Sequence, residues 1–201
     1  YRRLDDSFLD PKAFNKESVI GVPGLFKSWI KGNVGILNAI GTGVADDKVV
    51  YSYVNKMIVY YLGEQPILNQ VETYLCHEKI QRDYVIENIS KLVVKPANAS
   101  GGYGIMIGPK APLKEREEVI NKIKKNPREF IAQPLEILST APTITENDIE
   151  PRHLDLRPFV LSGKTSYVTT GGLTRVALRK GSTIVNSSQG GGSKDTLIVD
   201  M

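Results

Sequence analysis

Cysteine is almost absent. Cys76 is the one thiol in 201 residues, so no internal disulfide can form; this suits a reducing compartment, and a cytoplasmic chain is expected, with Cys76 as a structural thiol. Histidine is nearly as scarce. His77 and His153 stand alone, so no Cys/His spacing for zinc and no Ser-His-Asp or Cys-His arrangement can be read. No apolar run approaches the roughly 18 residues of a membrane-spanning helix, and no signal-peptide pattern follows Tyr1. Charge of one sign is not in large excess: 26 Lys and Arg stand against 22 Asp and Glu, a net +4. That mild balance suits a polyanion as small as a nucleotide. The basic blocks and aromatic–basic interleaving of an RNA binder are missing, so no nucleic acid and no membrane is expected among the partners. Two common phosphate motifs are missing as well. Gly-x-Gly-x-x-Gly would need glycine at Ile107, and a Walker A loop ending at Gly163-Lys164-Thr165 would need glycine at Pro158. There are no repeats and no low-complexity tract.

What the chain does have is the stretch Leu92 to Gly108. The apolar runs Leu92-Val93-Val94 and Ile105-Met106-Ile107 flank a small, polar, glycine-dense turn, which predicts a β-hairpin with Lys95 at the end of its first strand. Glycines at Gly101, Gly102 and Gly104 leave no Cβ in the way and allow successive backbone N–H groups to point into one concavity, an anion-binding arrangement. Ser100 adds a hydroxyl donor and Lys95 a positive charge. A plain hairpin turn is the alternative.

Around this stretch, residues 1–30 read as irregular, with Asp5, Asp6 and Asp10 in a solvated turn rather than a metal site. A short strand is expected over Val34–Asn38, then a helix capped by Asp46 or Asp47. Its stripe of Val50, Tyr53, Val54, Met57, Ile58 and Tyr61 is predicted to be core, with Gly63 as C-cap. Lys48 sits in the first turn, against the helix dipole. It meets an anion there or is simply solvated. Further helices are expected over Ile80–Ile89 and from Pro112 to Pro127, the latter acidic early and basic late with a solvated charged face. Phe130 to Glu136 reads as a strand broken at Pro134, whose free backbone groups offer the donor–acceptor pair an adenine ring needs. From His153 to Phe159 the pattern alternates, placing His153, Asp155 and Arg157 on one face and Leu154 and Leu156 on the other. Pro158 implies an edge or a bulge. Gly163-Lys164 is a hairpin turn, and Leu173–Arg179 alternates with Arg175 and Arg179 on one face. Asn186 to Asp195 is a second glycine-dense loop between strand-like runs at 183–185 and 197–199.

In order along the chain, these segments resemble the circularly permuted ATP-grasp proteins, the group related to glutathionylspermidine synthase. The carriers are Tyr1-Arg2-Arg3-Leu4-Asp5-Asp6 with Phe8-Leu9-Asp10-Pro11, the run Gly32 to Lys48, Leu92 to Pro96 with Ser100 to Gly104, and Ile131-Ala132-Gln133-Pro134. Asp155 to Phe159, Gly171 to Leu178 and Asn186 to Gly192 complete the set. The resemblance implies an α+β fold, ATP-grasp-like, with two lobes of antiparallel sheet and helices. Residues 1–90 would form the permuted segment, 91–135 the nucleotide-binding lobe and 136–201 a C-terminal lobe. It implies that Lys48 and Lys95 contact ATP phosphates beneath a lid of Ser100, Gly101, Gly102 and Gly104. Gln133 and the backbone near Leu135 would lie on the adenine side, and Arg157 would meet the transferring phosphoryl group.

The implied chemistry is ATP-dependent joining of a small-molecule carboxylate to an amine through an acyl-phosphate, with Mg²⁺ as second cofactor. The family's Asp … Glu-x-Asn metal pattern lies upstream of the segment resembling Tyr1 and has no counterpart here. The chain is therefore expected to be a C-terminal portion, incomplete at its N-terminus, with Asp155 as the remaining candidate metal contact. A nucleotide-binding or partner-docking module without turnover is the alternative.

Overall fold

A computed structural model describes residues 1–99, 102–146, 148–183, 185 and 190–196. The chain divides into two units, residues 1–99 with 104–134 and residues 100–103 with 135–201.

The first unit is built on four antiparallel strands: β1 (Tyr74–Leu75), β2 (Leu92–Pro96), β3 (Met106–Ile107) and β4 (Phe130–Pro134), in the order β1-β4-β2-β3. The predicted hairpin is there, with Val93 opposite Ile107 and Val94 opposite Met106. Strand β2 is apolar on both faces because both are covered. On one face Leu92, Val94, Met106 and Ala132 pack against Val85 and Ile89 from and just beyond α5 (Lys79–Glu87) and Ile123 of α6 (Leu113–Lys125). On the other, Ile131 and Leu75 pack with Ala97 and with Val49 of α3 (Lys48–Tyr51). Cys76 is fully buried in the first cluster, and burial pushes its thiol up to about 12, as befits a structural thiol.

Three readings of the N-terminal segment are corrected. No strand forms over 34–38, which is bend and irregular chain without a strand partner, Asn38 taking φ 60°. The Val50–Tyr61 helix is broken. Helix α3 stops at Tyr51 and α4 (Val54–Leu62) follows, ended by Gly63 in the left-handed conformation as expected. Of the stripe, Tyr53 packs against the Val49 cluster, but the part on α4 is not core: α4 has no buried residue, and Tyr61 is 75% exposed. Of the early aspartates, Asp5 is exposed as expected and Asp6 half-buried, but Asp10 is not solvated. Asp10 is 1% exposed and accepts N–H bonds from Lys12, Gly24 and Phe26 at 2.8–3.0 Å. Burial pushes its carboxyl up, but these three donors hold it net below the usual range. Asp5 caps α1 (Asp6–Leu9) through Ser7 N, and Asp6 pairs with Arg2.

The second unit is a sheet in the order β5-β6-β7-β8: β5 (Thr140–Ile144), β6 (Ile149–Ser162), β7 (Ser166–Ala177) and β8 (Gly191–Lys194). Pro158 marks a bulge, as expected: the β6–β7 register shifts between Pro158 and Val160. Another expectation fails. Gly191–Lys194, within the expected loop, is a strand that pairs with β7 from Thr174 to Ala177. Glycine fits this strand because a Cβ at Gly192 would sit 3.2 Å from the Leu178 side chain. The run at 197–199 lies outside the described residues. No helix among the described residues is long and apolar enough to cross a membrane.

Candidate nucleotide site

Strand alternation brings the first group together. Val94 and Ala132 point to the α5–α6 face, so Lys95 and Gln133 point to the α3 face. Lys95 lies opposite Ile131 and Val93 opposite Gln133, which makes Lys95 and Gln133 diagonal neighbours on one surface. Lys95 Nζ donates to Gln133 Oε1 at 2.6 Å, and Gln133 Nε2 donates to Thr73 Oγ1 at 2.8 Å.

Lys48 reaches the same surface from α3. Asp47 caps that helix through Val49 N at 2.8 Å and is itself held by Arg128 at 2.7 Å. The Lys48 N–H donates to Ala97 O at 2.9 Å, and its Nζ donates to Ala99 O at 2.6 Å. Both lysines therefore flank the backbone that leaves β2. Among the described residues neither has a carboxylate within ion-pair distance. Burial, with the charge of Lys48 added, holds the Lys95 ammonium below its ordinary pKa. Burial also lowers Lys48, partly offset by Asp47 and Asp46. Two partly desolvated ammonium groups, one of which disfavours the charge on the other, suit a polyanion, which would relieve these costs.

Of the expected lid, Ser100 and Gly101 lie outside the described residues. Gly102 and Gly104 take φ 79° and 71°, the left-handed region that favours glycine, and a Cβ at Gly104 would meet Pro96 Cγ at 2.9 Å. Leu135 follows β4 outside any strand and is exposed.

In the second unit Asp155 and Arg157 share a face of β6, and Arg175 stands opposite Asp155 on β7. The Asp155 carboxylate lies 3.3 Å from Arg157 and 3.5 Å from Arg175. Arg157 is exposed and keeps donors available; Leu156, on the opposite face, is 58% exposed. His153 Nδ1 is 2.7 Å from Leu138 O. A magnesium ion finds no matching donor set here. Asp155 already faces two guanidinium groups, and no cluster of three His, Cys, Asp or Glu side chains occurs among the described residues.

Residues 1–177 match the family described as circularly permuted ATP-grasp type 2. The chain belongs to that family. Across this circularly permuted ATP-grasp chain, 200 residues are 55% identical to an uncharacterized protein of Synechocystis sp., covering 99% of this chain and 42% of the relative. An uncharacterized protein of Mycobacterium tuberculosis is 53% identical over 200 residues, covering 99% of this chain and 36% of the relative. A Frankia casuarinae protein named "Putative glutamate--cysteine ligase 2-2" is 48% identical over 198 residues, covering 98% of this chain and 23% of the relative. The chain thus spans about two fifths or less of these relatives. The α+β architecture, with two four-stranded antiparallel sheets and helices, agrees with this membership.

Two neighbours of the expected residues escaped the sequence reading. Arg175 was placed on a face by alternation, but its partner across the sheet follows only from the register. Thr73 had no signal, because it lies one residue before a two-residue strand.

Proposed function

We propose that the chain is the ATP-binding portion of an ATP-dependent carboxylate–amine ligase. The observation that carries this reading is the pair Lys48 and Lys95, partly buried, without carboxylate partners among the described residues, and flanking the backbone that leaves β2 at Ala97 to Ala99. In this reading both ammonium groups hold ATP phosphates, and the Ser100–Gly104 turn covers them. Gln133 and the Leu135 backbone border the base. Arg157 meets the phosphoryl group in transfer, where a planar guanidinium can take two oxygens at once. A carboxylate oxygen attacks the γ-phosphorus and ADP leaves. The amine nitrogen then attacks the acyl carbon, phosphate leaves, and the amine gives up a proton. Mg²⁺ would supply neutralising charge to the transfer, but no carboxylate set among the described residues would hold it, and no step is routed through it. The Frankia relative's name belongs to the same reaction class and supports it.

The test is ADP release with a panel of carboxylates and amines, from this chain and from the Synechocystis relative at full length. The relative is expected to release ADP only when acid and amine are both present, and this chain by itself roughly a hundredfold less or not at all. Replacing the relative's equivalent of Arg157 by Lys is expected to lower its rate by a similar factor. ADP release indifferent to acid and amine would contradict the ligase reading.

A further inference from the structure

We infer that Thr73 is a positioning residue for Lys95, acting through Gln133; the inference rests on the nucleotide-binding reading above. An ammonium group only donates, so the Gln133 atom facing Lys95 at 2.6 Å must be Oε1. The amide nitrogen then faces Thr73 Oγ1 at 2.8 Å and can only donate, so the hydroxyl must accept. The hydroxyl's own hydrogen goes to Val71 O at 3.0 Å. Every donor and acceptor in the series Lys95, Gln133, Thr73, Val71 is fixed in direction. Gln133 is 8% exposed, so its amide has few other ways to be satisfied. Remove the hydroxyl and the amide nitrogen loses its acceptor, so Lys95 alone selects the orientation and Gln133 is held at one end only.

The series continues to the other lysine. Val71 N–H donates to Tyr51 Oη at 3.0 Å, and Gln70 Nε2 donates to Tyr51 O. Tyr51 is the last residue of α3, the helix that Lys48 begins. Residues 70–73 are therefore bonded at one end to the helix carrying Lys48 and at the other to the amide that holds Lys95. Lys48 disfavours the charge on Lys95, so a fixed acceptor is what keeps the Lys95 ammonium in place against that repulsion.

The test compares Thr73→Val, which removes the hydroxyl at nearly constant volume, with Thr73→Ser, which keeps it. Two readouts are taken: the titration of Lys95 Nζ by NMR without nucleotide, and the ATP dissociation constant by calorimetry. Thr73→Val is expected to move the Lys95 titration to lower pH, because a bond to the charged form is held less firmly, and to weaken ATP binding roughly three- to tenfold. Thr73→Ser is expected to restore both. A purely structural role would lower the melting temperature and leave the Lys95 titration where it is. Thr73→Ala is read the same way should the valine variant not fold. An unmoved Lys95 titration in the hydroxyl-free variants, or a serine variant as impaired as they are, overturns the inference. Absence of ATP binding in the wild type would instead overturn the nucleotide reading, and the Lys95 titration alone would then decide the role of Thr73.

Discussion

Lys95→Ala is expected to weaken ATP binding roughly ten- to a hundredfold, because a charge-assisted phosphate contact contributes about 1.5–3 kcal/mol. Stability should change far less, by no more than about 1 kcal/mol. Two effects oppose each other there. Removing Lys95 leaves Gln133 Oε1 without its donor, but it also removes a partly buried charge that Lys48 disfavours. The pH dependence follows from the same lowered pKa. A lysine below its ordinary value of about 10.4 is charged at a cost in the folded state. That cost is present in full below the lowered pKa and disappears as pH rises from there to the ordinary value, so this group's contribution to stability improves with pH over that window. A bound polyanion favours the ammonium and raises its pKa again. ATP affinity should therefore fall as pH rises through the apo pKa of Lys95, with protons taken up on binding. Calorimetry in buffers of different ionisation enthalpy reads both quantities. The alkaline loss of affinity should flatten in Lys95→Ala; an unchanged pH profile would show that Lys95 does not meet the phosphates.

Gly108→Ala is expected to be the most damaging single methyl group in the first unit. Gly108 N donates to Leu92 O at 2.8 Å just past β3. A Cβ there would lie within 3.0 Å of the carbonyl oxygens of both Ile89 and Leu92. These are backbone atoms of the turn between α5 and β2, and Ile89 and Leu92 are 6% and 4% exposed within the main core. Neither can give way without moving the strand that carries Lys95. A loss above about 4 kcal/mol is expected in denaturant unfolding, enough to leave such a domain largely unfolded. Gly35→Ala is the control: nothing lies within 4 Å of its Cβ, and a change within about 0.5 kcal/mol is expected. Equal unfolding midpoints for the two variants would contradict the packing at Gly108.

Elements defined by local chemistry were legible in the sequence. The β2–β3 hairpin followed from its apolar runs and glycines, the start of α3 from Asp47, the end of α4 from Gly63, and the β6 bulge from Pro158. Features decided by what an element packs against were not. Periodicity along 50–61 shows that one face is apolar, but not that this unit covers it, and α4 lies exposed. The glycines at 191 and 192 suggest a loop by propensity, yet β7 offers a free edge and a Cβ at 192 would crowd the Leu178 side chain. Within β6, alternation gave the shared face of Asp155 and Arg157 correctly. The contact between Lys95 and Gln133 needed the β2–β4 register, and Thr73 needed the position of β1, neither of which a single sequence carries.

The central claim is that Lys48 and Lys95 meet the phosphates of ATP. Its most direct test is labelling with an acyl-phosphate derivative of ATP, whose acyl group passes to a lysine amine beside the phosphates as the nucleotide phosphate leaves. A lysine with a lowered pKa carries more of the reactive free amine, which favours Lys95. Peptide mapping should find the acyl group on Lys48 and Lys95, with excess ATP suppressing both. Label spread over exposed lysines such as Lys91, Lys110 and Lys122, or label on Lys48 and Lys95 that ATP does not suppress, would contradict the claim.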